Sequence, residues 1–411
     1  MTPINKCRIC GNTNLTKVLS LGEQFLTGVF PKNPEDKITC GPLELVKCHG
    51  NEGCSLLQLA HSYDSSEMYG ENYGYRSGLN QSMVKHLQMK VESIQRHVAL
   101  KSHDLVLDIG SNDGTLLSFY SKSLTRVGMD PTAAKFRRFY QPEINVIADF
   151  FSAERFCSEF GEKKAKIITS IAMFYDLEDP FAFVQQIAEV LAEDGIWHFE
   201  QSYMPSMLES NAYDTICHEH LEYYGLSQIQ WILDRCGLKI LDVEINDVNG
   251  GSFAVTAALK AASLDSNQQK IQVILDSEAG LKDLSPYQSF AGRVYKHRSD
   301  LKDVIGGIIS QGQRIMGYGA STKGNVILQF CGFTSKDIPF IAEVNPDKFG
   351  SLTPGTLIPI ISEAEAHAMK PDYFLVLPWH FRENLLGREM TFLNSGGKMI
   401  FPLPKIDIAS Q

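Results

Sequence analysis

No apolar run in these 411 residues approaches the length needed to span a bilayer, so no membrane-spanning helix is expected. The stretch Met1–Cys10 lacks the apolar core of a signal peptide. Basic residues are outnumbered: 38 Lys and Arg against 48 Asp and Glu leave a formal charge of -10. That balance disfavours nucleic acid or an anionic membrane as partner, since both need basic surface. Solenoid repeats and low-complexity tracts are also missing. Nine cysteines, an odd number in so long a chain, do not make a disulfide scaffold and point to thiols and metal ligation. What remains is the profile of a cytoplasmic, monomeric enzyme, with room for roughly two or three domains.

The segment Leu105-Val-Leu-Asp-Ile-Gly-Ser-Asn-Asp-Gly-Thr-Leu-Leu117 is an apolar run, a small-residue turn and a second apolar run. It marks the strand-turn-helix start of a nucleotide-binding α/β unit. The turn lacks the G-x-G-x-x-G that seats a pyrophosphate on a helix N-terminus. Acids flank it instead, Asp108 and Asp113 around Gly110 and Asn112. They suit a ligand with hydroxyls and positive charge, as in the sulfonium and amino group of S-adenosylmethionine. Arg126-Val-Gly-Met-Asp-Pro131 puts Asp130 at the next strand end, about 20 residues on, where an acid holds ribose hydroxyls. Asp149 and Phe150 follow a third strand and suit an adenine amino group and ring.

Strands are expected over 105–109, 126–129, 144–147, 166–171, 195–200, 239–244 and 252–258. Helices are expected over 114–122, 133–140, 152–160, 181–192 and 227–236. The fold class is α/β with three parts. These are a small cysteine module over 1–70, an S-adenosylmethionine domain over 71–260, and a Rossmann-like domain over 301–411. Residues 261–300 form a helical connector. Cys7-x-x-Cys10 and Cys48-x5-Cys54 read as two halves of a structural zinc site, with Cys40 and His49 as alternative ligands.

Cys217-His-Glu-His-Leu-Glu-Tyr-Tyr224 is the densest titratable cluster. Its spacing differs from H-E-x-x-H, so an imidazole acting as general base fits better than a metal site. Gly317-Tyr-Gly-Ala-Ser-Thr-Lys-Gly-Asn325 carries Ser321 and Lys323 but misses the Walker spacing; it suits phosphate without ATPase chemistry.

Taken in order, these motifs resemble the sugar C-methyltransferases that act on nucleotide-linked 4-keto-6-deoxysugars. The likeness adds Met68-Tyr-Gly-Glu-Asn-Tyr-Gly-Tyr-Arg-Ser77 and Asn249-Gly-Gly-Ser252, and covers nearly the whole chain. It implies zinc on Cys7, Cys10, Cys48 and Cys54, and S-adenosylmethionine in the central domain. It also implies His220 as base with Glu219 beside it, and Tyr75 or Tyr73 facing the substrate. His218, Tyr223, Asn249, Ser321 and Lys323 complete the implied nucleotide-sugar site. Where the family often has Tyr before His-Glu-His, this chain has Cys217. The rival readings are an O- or N-methyltransferase on the same scaffold, a zinc-ribbon protein that modifies RNA, and a nucleotide-dependent dehydrogenase.

Overall fold

Alternation of inward and outward side chains makes strands of the first block. Leu19 and Leu21 of β1 (Leu15–Phe25) and Leu43 and Leu45 of β2 (Cys40–Cys48) point inward. These strands pair antiparallel with each other, and β3 (Leu57–Leu59) pairs with β2. A short strand from far along the chain, Glu222–Tyr223, closes this sheet against β3. The structure, a computed structural model, describes residues 1–50, 53–68 and 75–411. The expected contact Tyr73 lies outside them.

After helix α1 (Gln81–Ile94) comes a seven-stranded sheet of β4 (Leu105–Ile109), β5 (Thr125–Met129), β6 (Asn145–Ile147), β7 (Ala165–Ile171), β8 (Leu191–Ser202), β9 (Leu238–Asn246) and β10 (Ser252–Leu259). Their spatial order is β6-β5-β4-β7-β8-β10-β9. Strands β4 to β8 are parallel, and β10 runs antiparallel between β8 and β9. The order reverses beside β4, which is where doubly wound sheets bind ligands.

The helix expected over 114–122 is reduced to a single 3₁₀ turn, Leu117–Phe119. The side chain of Asp113 takes the N–H and hydroxyl of Thr115, at 3.2 and 2.5 Å, and so competes with helical hydrogen bonding. The segment 133–140 is likewise a short helix, Ala133–Phe136, running into a 3₁₀ turn.

Helix α2 (Leu226–Arg235) precedes β9, and α3 (Gln268–Ser277) and α4 (Ser285–Ser310) occupy the connecting region. The last sheet holds β11 (Ile315–Tyr318), β12 (Ile341–Glu343), β13 (Ile360–Ser362), β14 (Tyr373–Val376), β15 (Lys398–Phe401) and β16 (Asp407–Ala409). Its order, β13-β12-β11-β14-β15-β16, is the Rossmann order with an antiparallel final strand. Helix α5 (Thr322–Cys331) follows β11.

Two apolar cores span these parts. One joins Leu45 of the cysteine module, Tyr287 and Leu301 of α4, and Phe374 of the last sheet. The other joins Cys7 and Cys54 to Leu107, Val127 and Trp197 of the central sheet. The segment around Cys217 contributes Cys217 and Leu221 to the first core and Tyr224 to the second, so it sits where all the parts meet.

Candidate functional site

At the carboxyl edge of β4 the chain turns through Gly110, with φ of 72°, and Asn112, with φ of 51°. A Cβ on Gly110 would stand 3.0 Å from Met173 Cγ, so the turn is packed from above by the loop after β7. Asp130, at the end of β5, anchors this turn: its Oδ2 accepts the Asn112 N–H at 2.8 Å. Its Oδ1 accepts from the Thr132 N–H and hydroxyl, at 2.6 and 2.5 Å. A carboxylate has about four acceptor positions, so one is left for a ligand hydroxyl.

Asp108 lies beneath the turn, where Thr169 donates to it at 2.6 Å. Burial pushes its carboxyl up to about 7 despite that bond, with the Asp130 charge adding to the effect. Asn112 and Asp113 face another way. Asn112 Oδ1 accepts from the Ser77 N–H at 2.9 Å and its amide donates to the Tyr75 carbonyl at 3.2 Å. Asp113 accepts from the Gly78 N–H at 2.9 Å and lies 3.6 Å from Arg76. These side chains staple residues 75–78 over the glycine turn, leaving Tyr75 49% exposed. Asp149 and Phe150 stand at the end of β6, both exposed, with Asp149 accepting from the Phe150 N–H.

Glu200, near the end of β8, is a buried anchor. Lys90 approaches it at 2.8 Å and Asn246 donates at 2.9 Å, with His86 on its other oxygen. Burial opposes its charge, but His86 and Lys90 outweigh that and hold its carboxyl down to about 2. Helix α1 and the loop after β9 are thereby tied to the same sheet edge.

The histidine cluster divides. His220 Nδ1 lies 2.7 Å from the Thr215 carbonyl, and its ring meets Tyr175 edge-on with centroids 4.3 Å apart. A carbonyl only accepts, so Nδ1 carries the proton and Nε2 is left as the acceptor nitrogen. Burial, helped by the Lys323 charge, holds this imidazole down to about 4 against the effect of the Thr215 bond. Glu219 abuts the cysteine module so closely that a Cβ on Gly28 would stand on its carboxylate. Burial pushes that carboxyl up to about 7.

His218 points into the cysteine module, 3.4 Å from the Gly41 carbonyl and edge-on to Tyr63. Tyr223 is buried on its short strand, and its hydroxyl has no hydrogen-bond partner among the described residues.

Asn249 and Lys323 meet across the domain seam, where the Lys323 ammonium donates to the Asn249 carbonyl at 2.6 Å. Asn249 itself is left-handed, with φ of 55°. Ser321 caps α5, accepting the Gly324 N–H at 3.0 Å.

The four cysteines of the two pairs come together. Cys7 and Cys54 sulfurs are 3.5 Å apart, as are those of Cys10 and Cys48, and all four lie within 4.8 Å of one another. A tetrahedral zinc with Zn–S near 2.3 Å requires sulfurs about 3.8 Å apart, so the set fits. Asn12 donates to Cys48 Sγ at 3.4 Å and to the His49 carbonyl at 2.8 Å. Cys40 is exposed at the far end of β2, away from the cluster.

Thr215 and Glu200 carry much of this geometry, yet no motif marks them: Glu200 is held by residues 46 and 114 positions away, and Thr215 acts through its backbone carbonyl.

Residues 7–69, 84–243 and 247–404 match family models described as a zinc binding domain, a methyltransferase domain and a C-methyltransferase C-terminal domain. C-methyltransferase NovU of Streptomyces niveus is 30% identical over 415 residues, spanning 99% of this chain and 97% of its own. Among solved structures, the plantazolicin methyltransferase BpumL is 13% identical with a TM-score of 0.36, covering 44% of this chain and 87% of that one. An O-methyltransferase family protein from Burkholderia thailandensis is 14% identical with a TM-score of 0.34, covering 46% of this chain and 59% of that one.

Proposed function

Because the chain belongs to the C-methyltransferase family, we propose that it methylates C3 of a nucleotide-linked 4-keto-6-deoxyhexose, with S-adenosylmethionine as donor and His220 as base. The observation that carries this reading is the 2.7 Å contact between His220 Nδ1 and the Thr215 carbonyl. It leaves Nε2 as an acceptor at the junction of all the parts of the chain.

Methylation at carbon requires a carbon nucleophile. The C4 carbonyl acidifies the C3–H; Nε2 of His220 takes that proton, and the C–H electron pair becomes an enolate. Burial keeps the imidazole neutral throughout the physiological range, so Nε2 is unprotonated before the step. Glu219, titrating near neutrality, is the second group in the cleft able to hold a proton. A developing enolate oxygen needs a donor, and the Lys323 ammonium, Tyr75 and Tyr223 are the candidates. Ser321 and Lys323, with Asn249, serve the nucleotide end, and Tyr73 completes the substrate contacts, while His218 packs the segment onto the cysteine module.

S-adenosylmethionine supplies an electrophilic methyl group. Gly110 and Asp130 would hold it by close backbone approach and ribose contact, and Asp149 and Phe150 at the adenine end. Asp108, Asn112 and Asp113 shape the turn around it. Zinc on Cys7, Cys10, Cys48 and Cys54 is structural, since all four ligand positions are thiolates.

The test is C3 proton exchange in deuterated water, followed by mass, with a dTDP-, GDP- or CDP-linked 4-keto-6-deoxyhexose. Wild-type protein should exchange and then methylate that carbon. His220→Asn should lose on the order of 10²–10⁴-fold in both, with S-adenosylhomocysteine binding retained. A product methylated on oxygen or nitrogen, or a fully active variant, overturns the reading.

A further inference from the structure

Asp214 is fully buried and lies outside every motif of the chain. Its Oδ2 accepts the indole N–H of Trp379 at 2.7 Å, across the seam between the central and C-terminal domains. Its other oxygen has no hydrogen-bond partner among the described residues. The residue that follows it is Thr215, the one whose carbonyl holds His220. Both belong to a single tight 3₁₀ turn, Tyr213–Thr215, so neither can move without the other.

Trp379 is fixed in turn from its own side. It starts a 3₁₀ turn directly after Pro378, and Gly319 packs on that proline so closely that a Cβ would stand 2.6 Å from its Cδ. The indole edge lies against Gly250, where a Cβ would stand 3.5 Å from the ring. Gly319 lies in the turn that leads into α5, whose Lys323 grips the Asn249 carbonyl beside Gly250. Two contacts from one C-terminal turn and its neighbour thus hold the two central-domain segments beside the base.

We propose that Trp379 and Asp214 form a positioning pair that sets the tautomer and aim of His220 from the C-terminal domain. The physical reason is the cost of a buried carboxylate with one partner. Remove the indole N–H and both oxygens are unpaired, so the turn must relax toward another donor. The Thr215 carbonyl then shifts, and with it the ring it orients. Displacements of about 1 Å at a reacting group cost on the order of 10²-fold in rate. The inference rests on the reading of His220 as base, and it makes the domain assigned to the nucleotide end also the one that aligns the proton transfer.

Trp379→Phe in the full-length protein tests it by removing the N–H together with part of the ring, and the Asp214 variants, which leave the indole in place, separate the lost hydrogen bond from the lost volume. S-adenosylhomocysteine affinity and the KM for the keto-sugar should remain within about threefold. The rate of C3 proton exchange and kcat for methylation should fall together, by about 10- to 100-fold. Asp214→Asn retains an acceptor for the indole and should be milder than Trp379→Phe, whereas Asp214→Ala should match it. This asparagine–alanine comparison decides the matter if Trp379→Phe does not fold. Unchanged exchange and kcat in Trp379→Phe, a loss confined to KM, or equal loss in both Asp214 variants overturns the pair. Wild-type protein that methylates without exchanging overturns the base assignment, and the pair with it.

Discussion

At the scale of single residues, two acids do matching work in the two nucleotide-type sheets. Asp130 ends β5 and takes the N–H of Asn112 in the turn after β4; Glu343 ends β12 and takes the N–H of Ala320 in the turn after β11, at 2.9 Å. Each carboxylate locks a glycine turn before any ligand arrives. Glu219 has a different task and is raised by burial alone, up to about 7. A carboxyl whose pKa is higher folded than unfolded binds its proton more tightly when folded. The stability it contributes is therefore complete below its unfolded value, near 4.3, and is lost as the pH rises through about 7. Glu219→Gln removes that loss. Its melting temperature relative to wild type should rise between about pH 4.3 and about pH 7 and level off above, read by calorimetry. A difference that stays flat across that range would show that the carboxyl is not buried as charge.

At the scale of elements, the connector region contributes a cap. Glu278, just past the end of α3, receives the Leu226 and Ser227 N–H groups at the start of α2, at 2.7 and 3.0 Å, and the Tyr203 hydroxyl at 2.8 Å. Gly225 permits this approach, since a Cβ there would stand 2.7 Å from the carboxylate. An anion at a helix N-terminus is favourable both by dipole and by orphan N–H groups. Glu278→Ala leaves three donors without their acceptor and should destabilise by about 1–3 kcal/mol, measured by urea titration. A loss below about 0.5 kcal/mol would mean that water replaces the carboxylate freely.

Elements of this kind divide into those legible from sequence and those that are not. Strand β4 has the bounds its apolar run suggests, and β5 to β10 fall within a few residues of theirs; β4 and β7 are parallel strands buried on both faces and read as continuous apolar runs, whereas β9 reads through alternation. The cysteine pairs were readable too, since thiolate spacing is a local property. The helix over 114–122 was not, because Asp113 diverts the backbone there. The roles of Asp214, Glu200 and Glu278 were illegible for another reason: each depends on a partner 46 or more residues away, which no local pattern encodes. The turn residues Asn112 and Asp113 were expected at the cofactor; their side chains hold Ser77 and Gly78, a pairing that only the fold creates.

At the scale of the whole molecule, the zinc module is tied to the segment that carries the proposed base. Arg8 lies between the first two cysteines, and its guanidinium donates to the Leu59 carbonyl at 2.8 Å. Its Nε lies 3.6 Å from the buried carboxylate of Glu222 and 3.5 Å from Glu178. Glu222 follows His220 by two residues, on the strand that pairs with β3, and the Leu59 N–H donates to the Leu221 carbonyl at 2.8 Å. Gln228 of α2 adds a bond to the Cys54 carbonyl at 3.1 Å. A small cysteine module needs its metal to hold shape, so metal loss should travel along this strand to the segment 218–224. Removing zinc with a chelator, or replacing Cys10 by Ser, should raise amide hydrogen exchange at 221–224 and lower methyl transfer by about 10-fold or more. Exchange at 110–115, in the glycine turn, and S-adenosylhomocysteine affinity should stay near wild type, because that turn is held by Asp130, Ser77 and Gly78 and not by the module. If exchange rises equally in both regions, the module supports the whole fold. If it rises in neither, the short strand at 222–223 holds the catalytic segment without zinc.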